Sequence, residues 1–207
     1  MAIITQVEGN LYSFGNSRTT QAVTAETADS LFNKGAAAES TGRTNEALEF
    51  YRQALAHCSE TPKALLNMGS IAFNNRNLVL AEEYYRKALA IDPCYALAHY
   101  NLGNCLSERW GSQRAEAIKH YLKALAHKPD YGPAHYNLAV EYAKMEENRK
   151  ALNHFQLYLR YNGGDIPLYI SYAKGEIWRL SKLAPQVLAK PIVSEQAETP
   201  LADSQVG

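Results

Sequence analysis

AHYNLGN at residues 98–104 returns as AHYNLAV at residues 134–140, with the same five letters opening both stretches. A pentapeptide written twice points to an internal period, and a period decides the fold before any single residue does. Working outward, Gly35, Gly69, Gly103 and Ala139 fall into one column with spacings of 34, 34 and 36 residues. Ala47, Ala81, Ala117 and Ala151 form a second column, and Tyr51, Tyr85, Tyr121 and Phe155 a third. Ala54, Ala88, Ala124 and Tyr158 form a fourth, followed directly by Leu55, Leu89, Leu125 and Leu159. Pro93 and Pro129 close the second and third units.

Each unit reads as two helices. In the third, His99, Leu102, Gly103 and Leu106 recur at i, i+3, i+4 and i+7, one face of a helix. A turn around Trp110-Gly111-Ser112 follows, then a helix with Ala117, Tyr121, Ala124 and Leu125 on one face. That helix stops before Lys128-Pro129, because proline disfavours helical backbone in its predecessor. Small residues on facing helices let the two backbones approach, and the aromatic column fills the space beside them.

This column set, about 34 residues long, resembles the tetratricopeptide repeat, a helix-turn-helix unit of that period. The resemblance implies an all-α, right-handed solenoid of four units at residues 28–61, 62–95, 96–131 and 132–165. Departures are local: Lys34 replaces a usual Leu, His99 and His135 a usual Trp, and Ser59 and Gly163 the closing Pro. Residues 166–183 read as a helix capping the last unit, with Leu168, Tyr172, Ile177 and Leu180 near helical spacing. Residues 1–26 and 184–207, polar or proline-interrupted, are expected to be flexible.

Composition narrows the function. Lys plus Arg equals Asp plus Glu at 21 each, so no global field favours nucleic acid. Three cysteines, Cys58, Cys94 and Cys105, without a C-x-x-C spacing suit a reduced, cytoplasmic chain. MAIITQVEGNLYSFGNS has neither the basic start nor the apolar run of a leader, so neither secretion nor membrane insertion is expected. There is no G-x-S-x-G, phosphate loop or H-E-x-x-H. An enzyme is therefore not expected, nor is a cofactor or metal. Cys105 reads as buried, His99 and His135 as core residues stacked on a neighbouring helix, and His120 and His127 lack further ligands.

One polar column remains. Asn33, Asn67, Asn101 and Asn137 stand two residues beyond the first core position of each unit, about 200° round the helix and away from the core. Solenoids of this kind turn their first helices to the concave side, so the four amides are expected to form a ladder along one groove. An Asn amide offers an acceptor and two donors, matching a peptide main chain. Four such bonds supply roughly 2 to 6 kcal/mol, whereas micromolar binding needs about 8. Phe32, Leu66, Tyr100 and Tyr136, each just before an Asn, are candidates for the rest, with Asn104 and Trp110 as further contacts. The alternative use of the amides is hydrogen bonding locally or to the adjacent helix.

The resemblance also implies a comparison with the carboxylate-clamp domains of co-chaperones, which need cations at set positions. Here those positions hold Phe32, Ala36, Leu97 and Asn101, or Leu66, Ser70, Pro133 and Asn137, so little is present to hold a carboxylate. The expected function is a protein or peptide interaction module, an adaptor or assembly factor. A scaffold that self-associates through its convex face or ends is the alternative. The spaced apolar residues Ile4, Val7, Leu11, Tyr12 and Phe14 offer a further occupant for the chain's own groove.

Overall fold

A computed structural model describes residues 27–109, 113–161 and 167–183. These contain nine α-helices and no strand: α1 (Ala28–Ser40), α2 (Thr44–His57), α3 (Pro62–Asn74), α4 (Leu78–Ile91), α5 (Ala96–Glu108), α6 (Arg114–His127), α7 (Gly132–Lys144), α8 (Asn148–Tyr161) and α9 (Pro167–Leu183). α1 packs on α2, α3 on α4, α5 on α6 and α7 on α8, and each hairpin then packs on the next. α3 also touches α5, so first helices of successive units lie side by side. Neighbour-only contact of this kind makes a solenoid.

Local signals set the hairpins. Thr27 caps α1 by accepting from Ser30 N, and Asn77 caps α4 by accepting from Leu80 N. The turn inside the hairpin passes through the left-handed region at Gly42 (φ 76°), Arg76 (φ 61°) and Glu146 (φ 60°). The next residue's N–H returns to the preceding helix in all three, as Arg43 N to Ala38 O, Asn77 N to Ala72 O and Glu147 N to Tyr142 O. This is the Schellman closure, and of these three turns only that of the first unit uses the residue type best suited to it.

Packing explains the columns. The Ala47, Ala81, Ala117 and Ala151 side chains are fully buried, as are Ala54, Ala88 and Ala124. A Cβ placed on Gly35, Gly69 or Gly103 would sit 2.5, 2.5 or 2.6 Å from Cε1 of Tyr51, Tyr85 or Tyr121. Glycine is thus required by the ring lying on it. The fourth unit pairs Ala139 with Phe155 instead. Cys105 is buried and donates from Sγ to Leu78 O at 3.1 Å.

The last helix departs from its expected register. α9 packs on α8 with Ile170, Ala173, Ile177 and Leu180, at i, i+3, i+7 and i+10. Leu168 is 71% exposed, and Tyr172 is half-exposed beside Phe155 and Tyr136. A small residue, Ala173, takes the contact because it lets the backbones approach, which displaces the bulkier Leu168 and Tyr172 from the buried face. The 1–26 segment, the turn at Trp110 and the 184–207 tail lie outside the described residues.

Candidate peptide groove

The polar column on the first helices is tied to the preceding unit. Asn101 donates from Nδ2 to Ser70 Oγ at 3.4 Å, and Asn137 donates to Asn104 Oδ1 at 2.7 Å and to Tyr100 Oη at 3.3 Å. Ser70 and Asn104 occupy one repeat column, and the first unit has Ala36 there. With no acceptor at Ala36, Asn67 reaches Tyr51 Oη at 2.9 Å instead. Tyrosines of the aromatic column use the same position: Tyr121 donates to Asn104 Oδ1 at 2.9 Å and Tyr85 to Ser70 Oγ at 3.5 Å. Over Ala36, Tyr51 turns to Glu39 Oε2 at 2.6 Å. Asn67, Asn101 and Asn137 thus each engage the amide donor. Asn33 is exposed.

Of the two expected uses of the column, the bonds shown are those to a neighbouring helix, which hold the donor side and fix the rotamer. An amide already ordered loses less entropy on binding than a mobile one.

Beside the last of these amides is an open cavity of about 660 Å³, lined by residues of α3 and α5 through α9. Tyr100, Tyr136, Asn104 and Asn137 are all in its lining, together with Phe73, Val140, Tyr169 and Tyr172. The rings form a cluster. Tyr136 lies 5.0 Å from Tyr169, 5.1 Å from Tyr158 and 6.1 Å from Tyr172, centroid to centroid. Tyr100 meets Tyr131 edge-on at 5.0 Å. Burial raises Tyr100 above the usual phenol range, and burial with the neighbouring tyrosines pushes Tyr136 up to about 12. Both are neutral hydroxyls at physiological pH.

The floor holds one buried carboxylate. Glu141 is 3% exposed and accepts from Ser107 Oγ at 2.7 Å, Arg114 Nε at 3.0 Å and Lys144 Nζ at 2.7 Å. Three donors from three helices satisfy its oxygens, so it ties α5 and α6 to α7 and is not a free site for a cation. Among the described residues, no group of three or more His, Cys, Asp or Glu is arranged to hold a metal ion. Nor is any helix there long and apolar enough to cross a membrane.

Of the residues singled out from sequence, Tyr100, Tyr136, Asn104 and Asn137 come together at the cavity. Asn33, Phe32, Asn67 and Asn101 lie on other parts of the first helices, Phe32 packing on Tyr51 at 5.7 Å between ring centroids. Leu66 departs from expectation as a ligand contact. It is 7% exposed and packed into the core, because the second unit turns this position inward against its neighbours. Trp110 lies outside the described residues. Sequence reading missed Phe73, Ser107, Val140, Glu141 and Lys144. Continuing the Asn stripe along each helix by i+3, i+4 and i+7 from Asn137 reaches Val140, Glu141 and Lys144, so the signal was present.

Family models described as tetratricopeptide repeat match residues 28–56, 62–93 and 84–117. The last begins in α4 and ends in α6, half a unit out of step with the others, as a periodic array allows. Comparison with curated proteins finds no match. Among solved structures, the MamA protein is similar with a TM-score of 0.60 at 23% identity, over 84% of this chain and 99% of that one. PilF of Pseudomonas aeruginosa is similar with a TM-score of 0.63 at 17% identity, over 80% and 78%. A chain of the APC/C hetero-tetramer Cut9–Hcn1 gives 0.63 at 19% identity, over 75% of this chain and 30% of that one. At such identities the likeness is one of fold, an all-α right-handed solenoid of hairpin repeats. Family matches, repeat columns and stacked hairpins agree that this is a tetratricopeptide repeat protein.

Proposed function

We propose that the chain is a non-catalytic interaction module that holds an extended peptide segment of a partner protein along its concave face, with the third and fourth units as the main contact. The observation that carries this reading is Asn137, fixed by Asn104 and Tyr100 at the edge of an aromatic cavity of about 660 Å³. Fixed amides take the ligand's main chain and the tyrosines take an apolar or aromatic side chain. Such rings supply contact area at low entropic cost. The pull on ligand charge is weak, since Glu141 and Lys144 are paired with each other. A reducing compartment such as the cytoplasm suits three free cysteines, two of them exposed.

Selection from a library of unstructured peptides, followed by titration of the best binder, tests the reading. Asn101→Ala/Asn137→Ala is expected to weaken the selected peptide at least about tenfold, roughly 1.4 kcal/mol, with helicity intact. Equal affinity of the two proteins refutes the groove.

A second reading has its own observation. Leu168 and Trp178 on α9 are 71% and 67% exposed, leaving apolar area at the end of the solenoid where a second copy can stack. Sedimentation of the wild type beside Leu168→Ser/Trp178→Ser separates the two readings. Self-association lost in that variant, with peptide affinity unaltered, assigns the end of the solenoid to assembly.

A further inference from the structure

Two positions change together along the chain. Opening the core face of each first helix are Leu31, Leu65, His99 and His135; preceding the aromatic column on each second helix are Phe50, Tyr84, His120 and His154. Units one and two therefore carry apolar and aromatic side chains at both positions, and units three and four carry imidazoles. His99 Nδ1 lies 3.0 Å from His120 Nδ1, and His135 Nδ1 lies 2.9 Å from His154 Nδ1. The other nitrogen of each first-helix ring meets a carbonyl, His99 Nε2 at 3.0 Å from Pro93 O and His135 Nε2 at 3.0 Å from Pro129 O. A carbonyl only accepts, so Nε2 carries the proton in both rings. Their Nδ1 atoms are then acceptors, and His120 and His154 donate from Nδ1. All four rings are buried.

We propose that these pairs are proton-operated latches, which hold units three and four closed at neutral pH and release them ahead of units one and two as the pH falls below about 6. The proposal stands whether or not the groove holds a peptide. One proton added to a closed pair creates a buried cation. Two make both Nδ1 atoms donors and abolish the bond. Opened helices instead take up protons at the ordinary imidazole value, about 6.5.

Surroundings reinforce the effect. Around the first pair, Lys123 and His127 of α6 and Arg86 of α4 oppose a cation, while Asp92 after α4 and Glu116 of α6 favour one. Glu116 Oε1 is 3.9 Å from His120 Nε2. Around the second pair, Lys150 of α8 opposes it, and Tyr161 and Tyr142 stack on His135 and His154. Burial outweighs the rest, pushing His120 down to about 4 and His154 down to about 3, and lowering His99 and His135 as well.

Folded values below the unfolded one mean that stabilisation is complete above about 6.5 and is lost as pH falls from there toward the folded values. Counting only the more strongly shifted ring of each pair, His120 or His154, the opening equilibrium of each unit rises roughly 20-fold between pH 7 and pH 5, and the second freed ring adds to that.

Amide hydrogen exchange at pH 7 and pH 5, corrected for intrinsic rates, reads this helix by helix. Protection in α5 to α8 is expected to fall by roughly 20-fold or more, with α1 to α4 changing less. In His99→Leu/His120→Phe/His135→Leu/His154→Phe, which copies the first unit's pair into both later units, that difference is expected to vanish. Nitrogen NMR of the wild-type rings does not depend on the variant folding. His120 and His154 are expected to hold the Nδ1–H tautomer down to pH 5. Equal loss of protection in all eight helices, no loss at all, or rings titrating near 6.5 in the folded chain each overturn the latch.

Discussion

Replacing Gly103 by alanine tests the packing rule that sets the repeat. The added Cβ would lie 2.6 Å from Cε1, 2.8 Å from Cδ1 and 3.1 Å from Cζ of Tyr121. Carbon atoms pack at about 3.5 to 4.0 Å, so two ring atoms need to retreat by nearly an ångström. The ring is not free to do so. It is buried, and its hydroxyl donates to Asn104 Oδ1 at 2.9 Å. Overpacking of this kind costs about 2 to 3 kcal/mol, while alanine's better helix propensity returns about 1. The expected result is a net loss of about 1 to 2 kcal/mol.

Unit four shows how the strain is relieved, since Ala139 there faces a phenylalanine with no hydroxyl to anchor it. Gly103→Ala/Tyr121→Phe should therefore cost about 1 kcal/mol less than the two single changes added together. Urea unfolding followed by far-UV circular dichroism measures all four proteins. A Gly103→Ala protein as stable as wild type, or a double variant whose cost is the plain sum, refutes the argument that the anchored ring dictates glycine.

Two further outcomes follow from local geometry. Glu146 sits at φ 60° in the turn that Gly42 occupies in unit one, so Glu146→Gly is expected to stabilise the chain by about 0.5 to 1 kcal/mol in the same urea assay. Burial pushes the Cys105 thiol up to about 11, whereas Cys58 and Cys94 are exposed. A thiol reagent at neutral pH should modify two cysteines rapidly and the third only on unfolding; three fast thiols would place Cys105 at the surface.

The fold was legible because each column performs the same packing task in every unit, so a one-dimensional period carries the three-dimensional neighbours. Legibility weakened where that repetition ended. α9 has no second helix of its own after it among the described residues, and its buried face, Ile170, Ala173, Ile177 and Leu180, follows the surface of α8 rather than the repeat columns. At the site, the positions of the asparagines were readable, but their partners were not. A hydrogen bond from Asn137 to Asn104 joins residues in different columns of different units, and only the stacking distance between first helices brings them within reach.

Those partners make the solenoid graded. The column that receives the Asn amides is Ala36, then Ser70, then Asn104. Its bonds tighten in that order: none at alanine, 3.4 and 3.5 Å at Ser70, and 2.7 and 2.9 Å at Asn104. Hydrogen-bond strength falls quickly toward the longer values, so the first helices are most firmly tied together between units three and four. Both histidine pairs are in the same two units, which also supply most of the aromatic cavity, completed by Phe73 of α3 and by Tyr169 and Tyr172 of α9. Units one and two have the columns needed for stacking and little else that is polar and buried. The division has a physical logic: the half that fixes its amides most rigidly is joined within each hairpin by bonds that acid can break, so one pair of units contains both the preorganised surface and the means of loosening it.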